Sequence, residues 1–559
     1  MKNWRINSVL IFVFLVSSPI FIRLVYIQII NHQYWRALAQ GQQKIFLSLQ
    51  GDRGEIFFQD KTPLAINKTF DLVYVSPQEI QNAEEAAGIL SSILEVDKNL
   101  ILEKIEKDDS YEVIKKKLSS EETAAIKNLN LPGIYLTKET LRYYPQEDLA
   151  SKVAGFLDGN GQGQYGIEGY YEETLQGKEG FLEKEKGPGG YLMNDLEGQA
   201  QEGADLILTL DYNIQFQAEK LLVKAKEDLD IESGEIIVME PQTGKILALA
   251  DFPNFNPNHY SEVADFEVFQ NSAIQKIFEP GSVFKAIVMA AALDQEKITP
   301  ETKYVDTGLL KIGGYTISNF GNRAWGERTM TEVLEKSINT GAVFAETQIG
   351  PQVFLDYLDR FGLFTPTGVD LSGEVSSQNK ELKKGYEVNF ATASFGQGIE
   401  MSPIQLIRAF SAIGNGGKLV KPYIVEKFFK NREIVETKTQ IQKDSLISPK
   451  TISQLTAMLV NVVDKGTARR AKIPGYYVAG KTGTAQVAWT VLGIQKRGYS
   501  EKTVQSFVGF APAYNAQFAI LVKLNNPKAS TSEISAVPIF KELAKYIIDL
   551  WQIPPDYAL

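Results

Sequence analysis

The chain of 559 residues has no cysteine. That one absence excludes disulfides, thiolate catalysis, iron–sulfur clusters and cysteine-bound zinc. It leaves the compartment open, because some extracytoplasmic proteins simply avoid cysteine. Histidine is nearly absent too, with His32 beside the apolar N-terminus and His259 in the polar stretch Asn256-Pro257-Asn258-His259. A lone loop histidine is more often solvated than catalytic. A Ser-His-Asp hydrolase is therefore disfavoured, and a serine nucleophile here needs lysine as its base. Basic residues are outnumbered, 58 against 68 acidic ones, for a net charge of -10. Nucleic-acid binders carry basic patches that displace counterions, so no nucleic acid is expected as a partner.

What is present reads as mostly folded protein. Charged residues make up 23% and hydrophobic residues 44%, both ordinary globular levels. The length implies two to four domains. The N-terminus differs from the rest. No charge occurs from Ile6 to Ile22, and beyond Arg23 the apolar run resumes through Leu24-Val25-Tyr26-Ile27-Gln28-Ile29-Ile30. About 25 such residues are ample to span a bilayer if Arg23 snorkels to the interface. Tyr26, Tyr34 and Trp35 suit an interfacial belt. Lys2 and Arg5 ahead of the span place the N-terminus in the cytoplasm and the rest outside. The competing reading is a cleaved signal peptide with Ala37-Leu38-Ala39 as its site. Bulky Tyr34-Trp35-Arg36 before that site, and the length of the run, favour an uncleaved single-pass anchor over residues 1–30.

Residues 31–50 are polar and read as a short helix leading away from the membrane. Gly51-Asp52-Arg53-Gly54 then turns into a strand at Glu55-Ile56-Phe57-Phe58, and Leu72-Val73-Tyr74-Val75-Ser76 is another. Residues 81–131, rich in Glu, Lys, Ala and Leu, read as solvated helices. Gly161-Gln162-Gly163-Gln164-Tyr165-Gly166 matches the dinucleotide pattern Gly-x-Gly-x-x-Gly. The chain beyond it, with Gly177-Lys178-Glu179-Gly180 and Gly187-Pro188-Gly189-Gly190, is glycine-rich and charged rather than a second apolar strand. A connecting loop is the better reading, and no cofactor is expected. A second domain begins near 204–211. It holds a helix over 214–229, strands over 233–240 and 244–250, late strands over 476–487, 504–511 and 517–524, and a closing helix over 539–551.

Three boxes carry candidate chemistry. Pro280-Gly281-Ser282-Val283-Phe284-Lys285 opens an apolar run, Ala286 to Leu293, and reads as a loop entering a buried helix. Ser282 and Lys285 are three apart and share a face. An amine whose pKa is lowered by burial can take the hydroxyl proton, and a helix start favours developing negative charge. The pair alone is weak evidence: Ser-x-x-Lys arises by chance about twice in a chain of this length, and Ser377-Gln378-Asn379-Lys380 is a second instance. Ser337-Ile338-Asn339 precedes a helical-looking segment and offers a second hydroxyl for a proton path. Its Asn339 amide, both donor and acceptor, suits a substrate amide. Lys481-Thr482-Gly483-Thr484 lies in a strand-like stretch of small residues, against which an extended peptide can add as an extra strand. Lys481 would attract a carboxylate, the Thr482 and Thr484 hydroxyls would bond it, and an N–H near Thr484 would help hold an oxyanion. Gly475-Tyr476-Tyr477-Val478-Ala479-Gly480-Lys481-Thr482 matches the Walker phosphate-loop pattern, but the stretch reads as a strand and not as a loop entering a helix, so a phosphate loop is disfavoured.

Ser-x-x-Lys, Ser-x-Asn and Lys-Thr-Gly in this order are the signature of penicillin-binding proteins and serine β-lactamases. The chain resembles that family at Ser282/Lys285, Ser337/Asn339 and Lys481/Thr482/Gly483. Ser377–Lys380, in a polar stretch with no helix start, is rejected. Phe278-Glu279-Pro280-Gly281, Phe395-Gly396-Gln397-Gly398 with Ser402-Pro403-Ile404-Gln405, and Gly480 to Gln486 look like class B enzymes, the monofunctional peptidoglycan D,D-transpeptidases. Arg53-Gly54-Glu55-Ile56 and Gly166-Ile167-Glu168-Gly169 are similar to the pedestal of those enzymes. Two departures stand out. Gln59-Asp60-Lys61-Thr62-Pro63 replaces a frequent Asp-Arg-Asn-Gly turn, and Ile338 replaces the Asp common in β-lactamases, pointing away from them.

The resemblance implies an α+β fold in three parts. These are a cytoplasmic stub and transmembrane anchor (1–30), an elongated dimerisation-like pedestal (31–204), and a transpeptidase domain (205–559) with a central antiparallel sheet and helices on both faces. It implies Ser282 as nucleophile, Lys285 as base and Ser337 as proton relay. Asn339, Lys481, Thr482, Gly483 and Thr484 would bind substrate, and the backbone N–H groups of Ser282 and Thr484 would form the oxyanion hole. It implies no metal and no cofactor. The ligands would be peptidoglycan stem peptides and the β-lactams that imitate them. The partners would be a polytopic glycan polymerase and other division proteins at the cell membrane. Phe507-Val508-Gly509-Phe510-Ala511-Pro512 looks more like the division type than the elongation type. The alternatives are an elongation-type enzyme, a D,D-carboxypeptidase or β-lactam sensor, and a catalytically silent scaffold of a wall-synthesis complex.

Overall fold

The computed structural model describes residues 3–33, 35, 44–49, 51–178, 180–186, 192–197, 200–430 and 433–558. Lys2, Tyr34, Ala37-Leu38-Ala39 and Gly187-Pro188-Gly189-Gly190 lie outside the described residues. The chain forms two compact units, one of Met1–Gly54 with Thr174–Ala204 and one of Glu55–Glu173 with Asp205–Leu559.

The first unit opens with a helix over Asn3–Val25 that continues as a wider π-type turn over Tyr26–Ile30. Together these 28 residues are long and apolar enough to cross a membrane. At ~1.5 Å per residue they exceed the ~30 Å hydrocarbon core. Ser8 and Ser17 donate their hydroxyls to the carbonyls of Trp4 and Val13 one turn back. Neither hydroxyl is then left unpaired in lipid. Lys44–Leu49 is a strand, where the sequence predicts part of a polar helix. Its Ile45 and Phe46 favour extended backbone, and it pairs antiparallel with Gly180–Lys186, which pairs in turn with Leu192–Glu197. That partner lies too far along the chain for local pattern to reveal.

The second unit holds two large sheets. In one, Ile56–Phe57 lies parallel to Asp205–Leu208 and antiparallel to the long strand Pro63–Val75. Pro63–Val75 pairs with Ile134–Tyr143 and Glu112–Lys115, while Asp205–Leu208 pairs with Val425–Lys430. The helices Ala83–Leu94, Lys98–Ile105 and Ser120–Leu129 start at the side-chain caps of Asn82, Asp97 and Ser119. They are solvated on one face only. Ala87, Leu90, Leu94, Ile101 and Ile126 pack into a core with Val73 and Val75.

The other sheet has five antiparallel strands in the order Ile246–Phe252, Ser233–Met239, Phe518–Asn525, Tyr499–Ala511, Ala479–Ala488. Its inner strands are buried at nearly every position instead of every second one. Strands buried in this way have both faces covered. Tyr212–Leu229 and Ala536–Trp551 pack on the sheet and on each other, and Pro403–Gly414 packs on it as well. Ala479–Ala488 is left at the edge. The helix Lys285–Asp294 is buried from Lys285 to Leu293, as a helix apolar on all sides must be. It packs against Asn339–Ile349, Pro351–Arg360 and Pro449–Asp464.

Candidate active site

Gly281–Phe284 forms a tight 3-10 turn that runs straight into Lys285–Asp294. Gly281 has φ +59°, and a Cβ there would press on Ala485 Cβ at 3.1 Å. Both facts call for glycine. The turn leaves Ser282 partly exposed and Lys285 fully buried beneath it. Lys285 Nζ lies 3.0 Å from Ser282 Oγ, 2.6 Å from the Ser337 carbonyl oxygen, 2.7 Å from Asn339 Oδ1 and 3.2 Å from Ser337 Oγ. The two nearest partners are carbonyl oxygens, which only accept. A neutral amine that gives its two hydrogens to them turns its lone pair toward the Ser282 hydroxyl. Burial, and then the field of Lys481, push Lys285 well below the ordinary lysine range. Electrostatics thus favours the neutral amine, and the geometry aims its lone pair at Ser282.

Ser337 ends the helix Met330–Lys336 in the left-handed region, at φ +56°. For a residue with a Cβ this costs about 1–2 kcal/mol. The conformation turns both its carbonyl and its hydroxyl toward Lys285. Lys481 Nζ reaches the same hydroxyl from the edge strand at 3.0 Å, and also donates to Thr482 O and Oγ1 at 3.2 Å. Ser337 Oγ thus bridges two buried lysines. Desolvation pushes Lys481 down to about 7. Its amine is fully buried beside Ser337, and the Thr482 hydroxyl is 3.0 Å from that of Thr467. Thr484 Oγ1 is 3.3 Å from Ser532 Oγ. Gly483 is where the edge strand meets the nucleophile turn. A Cβ there would fall 2.6 Å from Val283 Cγ2 and 2.8 Å from the Pro280 carbonyl oxygen. The three boxes, up to about 200 residues apart, converge on one cluster.

Several side chains outside the three boxes surround the cluster. Glu279 Oε1 accepts from the Gly398 N–H at 3.0 Å and from the Tyr499 hydroxyl at 3.2 Å, and burial pushes the carboxyl up to about 7. Asn319 and Asp306 lie behind Asn339. An acid three residues before the nucleophile is visible in the sequence, but its partners are not. The competing motifs disperse. Ser377 donates to Glu400 Oε2 at 3.0 Å while Lys380 is exposed. His259 is exposed and sits 3.0 Å from Glu262 Oε1. The Gly161–Gly166 stretch joins a two-residue hairpin to the short helix Gly166–Tyr170, so no strand–loop–helix phosphate cradle forms.

Residues 234–545 match the family described as the penicillin binding protein transpeptidase domain, and residues 48–208 match the penicillin-binding protein dimerisation domain. The chain is 32% identical to stage V sporulation protein D of Bacillus subtilis, over 95% of this chain and 83% of that one. It is 30% identical to a probable peptidoglycan D,D-transpeptidase, PbpC, of Pseudomonas aeruginosa, over 99% and 96%. Among solved structures, apo penicillin binding protein 3 of Mycobacterium tuberculosis superposes with a TM-score of 0.71 at 25% identity, covering 91% of this chain and 98% of that one.

Proposed function

The chain belongs to the penicillin-binding protein transpeptidases, and we propose on that footing that it is a peptidoglycan D,D-transpeptidase working through a Ser282 acyl-enzyme. The observation that carries this reading is the Lys285 amine, held 3.0 Å from Ser282 Oγ with its hydrogens engaged by two carbonyl oxygens. Ser282 Oγ attacks the carbonyl of the penultimate D-Ala of a stem peptide as its proton passes to Lys285 Nζ. The C–N bond breaks, and the departing D-Ala amine takes a proton relayed through the Ser337 hydroxyl from the lysines. An amine of a second stem peptide then attacks the ester, gives up a proton along the same path and frees Ser282. The backbone N–H groups of Ser282 and Thr484 hold the oxyanion. Asn339 orients the peptide amide, and Lys481, Thr482, Gly483 and Thr484 present the edge strand and hydroxyls to the terminal carboxylate.

We assign the anchor to residues 1–30, the pedestal to 31–204 and the transpeptidase domain to 205–559. The anchor crosses the cell membrane once with its N-terminus in the cytoplasm, and its helix is the contact for a polytopic glycan polymerase of the division machinery. Relatives named FtsI homologues support a septal role. A fluorescent fusion that follows the lateral wall instead of the septum would move the enzyme to elongation. Intact-mass and peptide mapping after penicillin treatment tests the chemistry. An adduct is expected on Ser282, and an equal adduct on Ser282→Ala would sink the reading. Cross-linked product, as opposed to trimmed peptide, separates it from a D,D-carboxypeptidase.

A further inference from the structure

The helix Asn339–Ile349 carries Asn339 to Lys285, and its first turn is capped from a distance. Its own N-cap, Ile338, has no side chain that can bond the free N–H groups. Asn319 supplies the cap: its Oδ1 accepts from the N–H groups of Asn339 at 3.0 Å and Thr340 at 3.1 Å. An amide can present oxygen or NH2, so the cap works only if the amide is held one way round. Asp306 holds it. Its Oδ1 and Oδ2 lie 3.0 and 2.9 Å from Asn319 Nδ2, a group that only donates, and the Arg323 carbonyl accepts from the same nitrogen at 2.9 Å.

Asp306 is built into this place. It is 2% exposed, and its oxygens also accept from Gly308 N at 2.9 Å, Trp325 N at 2.8 Å and Thr340 Oγ1 at 2.6 Å. Burial pushes its carboxyl up, but the hydrogen bonds from Thr340, Gly308, Trp325 and Asn319 outweigh that and hold it below the ordinary range. Asn339 completes the chain of contacts. Its Nδ2 donates to the Ser318 carbonyl at 2.9 Å, which leaves Oδ1 aimed at Lys285 Nζ.

We infer that Asp306 is a positioning residue for the reaction, fixing the Asn319 amide and through it the helix turn that sets Asn339 against Lys285; the inference rests on the catalytic reading of Ser282 and Lys285. Without the carboxylate the Asn319 NH2 keeps one of its three acceptor contacts, the Arg323 carbonyl, and turns more readily toward the N–H groups of Asn339 and Thr340, donor against donor. The first turn then moves, and Lys285 loses an acceptor that favours its protonated form. Lys481 is the charged group whose field bears on Lys285; Ser282, Ser337 and Asn339 are uncharged. Losing the acceptor therefore lowers the proton affinity of Lys285 further.

The test is the rate of acylation by a fluorescent penicillin, from about pH 5.5 to about 9.5, on the full chain in detergent. The proteins are the wild type, Asp306→Ala, Asn319→Ala and the double variant, with Ser282→Ala as the blank. Asp306→Ala is expected to slow acylation about 10- to 100-fold and to move the acid limb of the profile to lower pH. The double variant is expected to be no slower than the slower single variant, since both act through one amide. Thermal unfolding identifies a variant that fails to fold. Asp306→Asn, which keeps one acceptor oxygen, then takes the place of Asp306→Ala with a smaller loss. An unmoved acid limb, or single effects that multiply, would overturn the inference while leaving Ser282 as nucleophile. Acylation of Ser282→Ala would overturn the catalytic reading and this inference with it.

Discussion

At the scale of the residue, chemistry at Ser282 depends on one lone pair. Lys285 has two carbonyl acceptors for two hydrogens, so only the uncharged amine has an orbital to offer the serine. Arginine cannot lose its charge at accessible pH. Lys285→Arg is therefore expected to slow penicillin acylation by about 10²- to 10⁴-fold, the usual worth of a general base, measured by stopped-flow. In the wild type the rate should decline on the acid side as Lys285 gains its proton. A rate that rises as the solution is acidified would assign the proton elsewhere. The Ser282–Lys285 pair was legible because three-residue spacing stacks side chains on one helical face. The contacts of Lys285 with Ser337 and Asn339 were not, since they depend on a left-handed serine and a helix start some 50 residues on. Asp306 and Asn319 were silent in the sequence for the same reason.

At the scale of the element, the edge strand and the nucleophile turn meet without a side chain between them. Gly483→Ala would place a methyl 2.8 Å from the Pro280 carbonyl oxygen, which is backbone and cannot swing away. Overpacking of this kind costs about 1–3 kcal/mol, and the strand must shift from Ser282 to relieve it. We expect acylation at least about tenfold slower, with a lower Tm; an unchanged rate would mean that the strand spacing is not critical. A second element-scale test lies on the helix Asn339–Ile349, where Glu346 is 5% exposed and its Oε1 has no hydrogen-bond partner. Burial, then the field of Glu387, pushes the carboxyl up to about 7. The folded state holds this proton more tightly than the unfolded chain, so stability falls as pH rises from about 4.5 to about 7. Glu346→Gln should raise Tm most above pH 7 and lose that advantage near pH 4.5. A constant difference across that range would count against the assignment. The strands around the Lys-Thr-Gly box were readable from alternation and small residues. The strand Lys44–Leu49 was not, because its partner Gly180–Lys186 lies about 130 residues later and local polarity pointed to a helix.

At the scale of the whole molecule, the second unit is joined through its interior by ion pairs. Lys152 Nζ lies 2.8 Å from Asp251 Oδ1, with the two side chains 6% and 2% exposed. Lys523 Nζ lies 2.9 Å from Glu235 Oε1, equally buried, and 5.1 Å over the Phe278 ring just ahead of the nucleophile turn. Removing one partner of such a pair costs about 3–5 kcal/mol, because the other charge stays buried alone. Lys152→Met should therefore lower the melting temperature of Asp205–Leu559 along with that of Glu55–Glu173, in a single calorimetric transition. Two separate transitions would show that the two stretches fold independently. Composition and motif order made the family resemblance legible. The link between the early and late stretches through Lys152 and Asp251 was not, since an ion pair between residues 99 positions apart leaves no local trace.

The two active-site lysines have a consequence for how ligands are taken up. Among the described residues their hydrogen bonds run to hydroxyls and carbonyls, and none runs to a carboxylate. The pocket is thus one half of an ion pair, only partly charged near neutral pH. A ligand that ends in a carboxylate brings the missing half, and Lys481, which burial pushes down to about 7, is the group positioned to answer it. Binding of such a ligand near neutral pH should draw protons from solution, fewer than one per site. Calorimetric titrations of Ser282→Ala in buffers of different ionisation enthalpy would register that uptake, and the amide of the same ligand should show none.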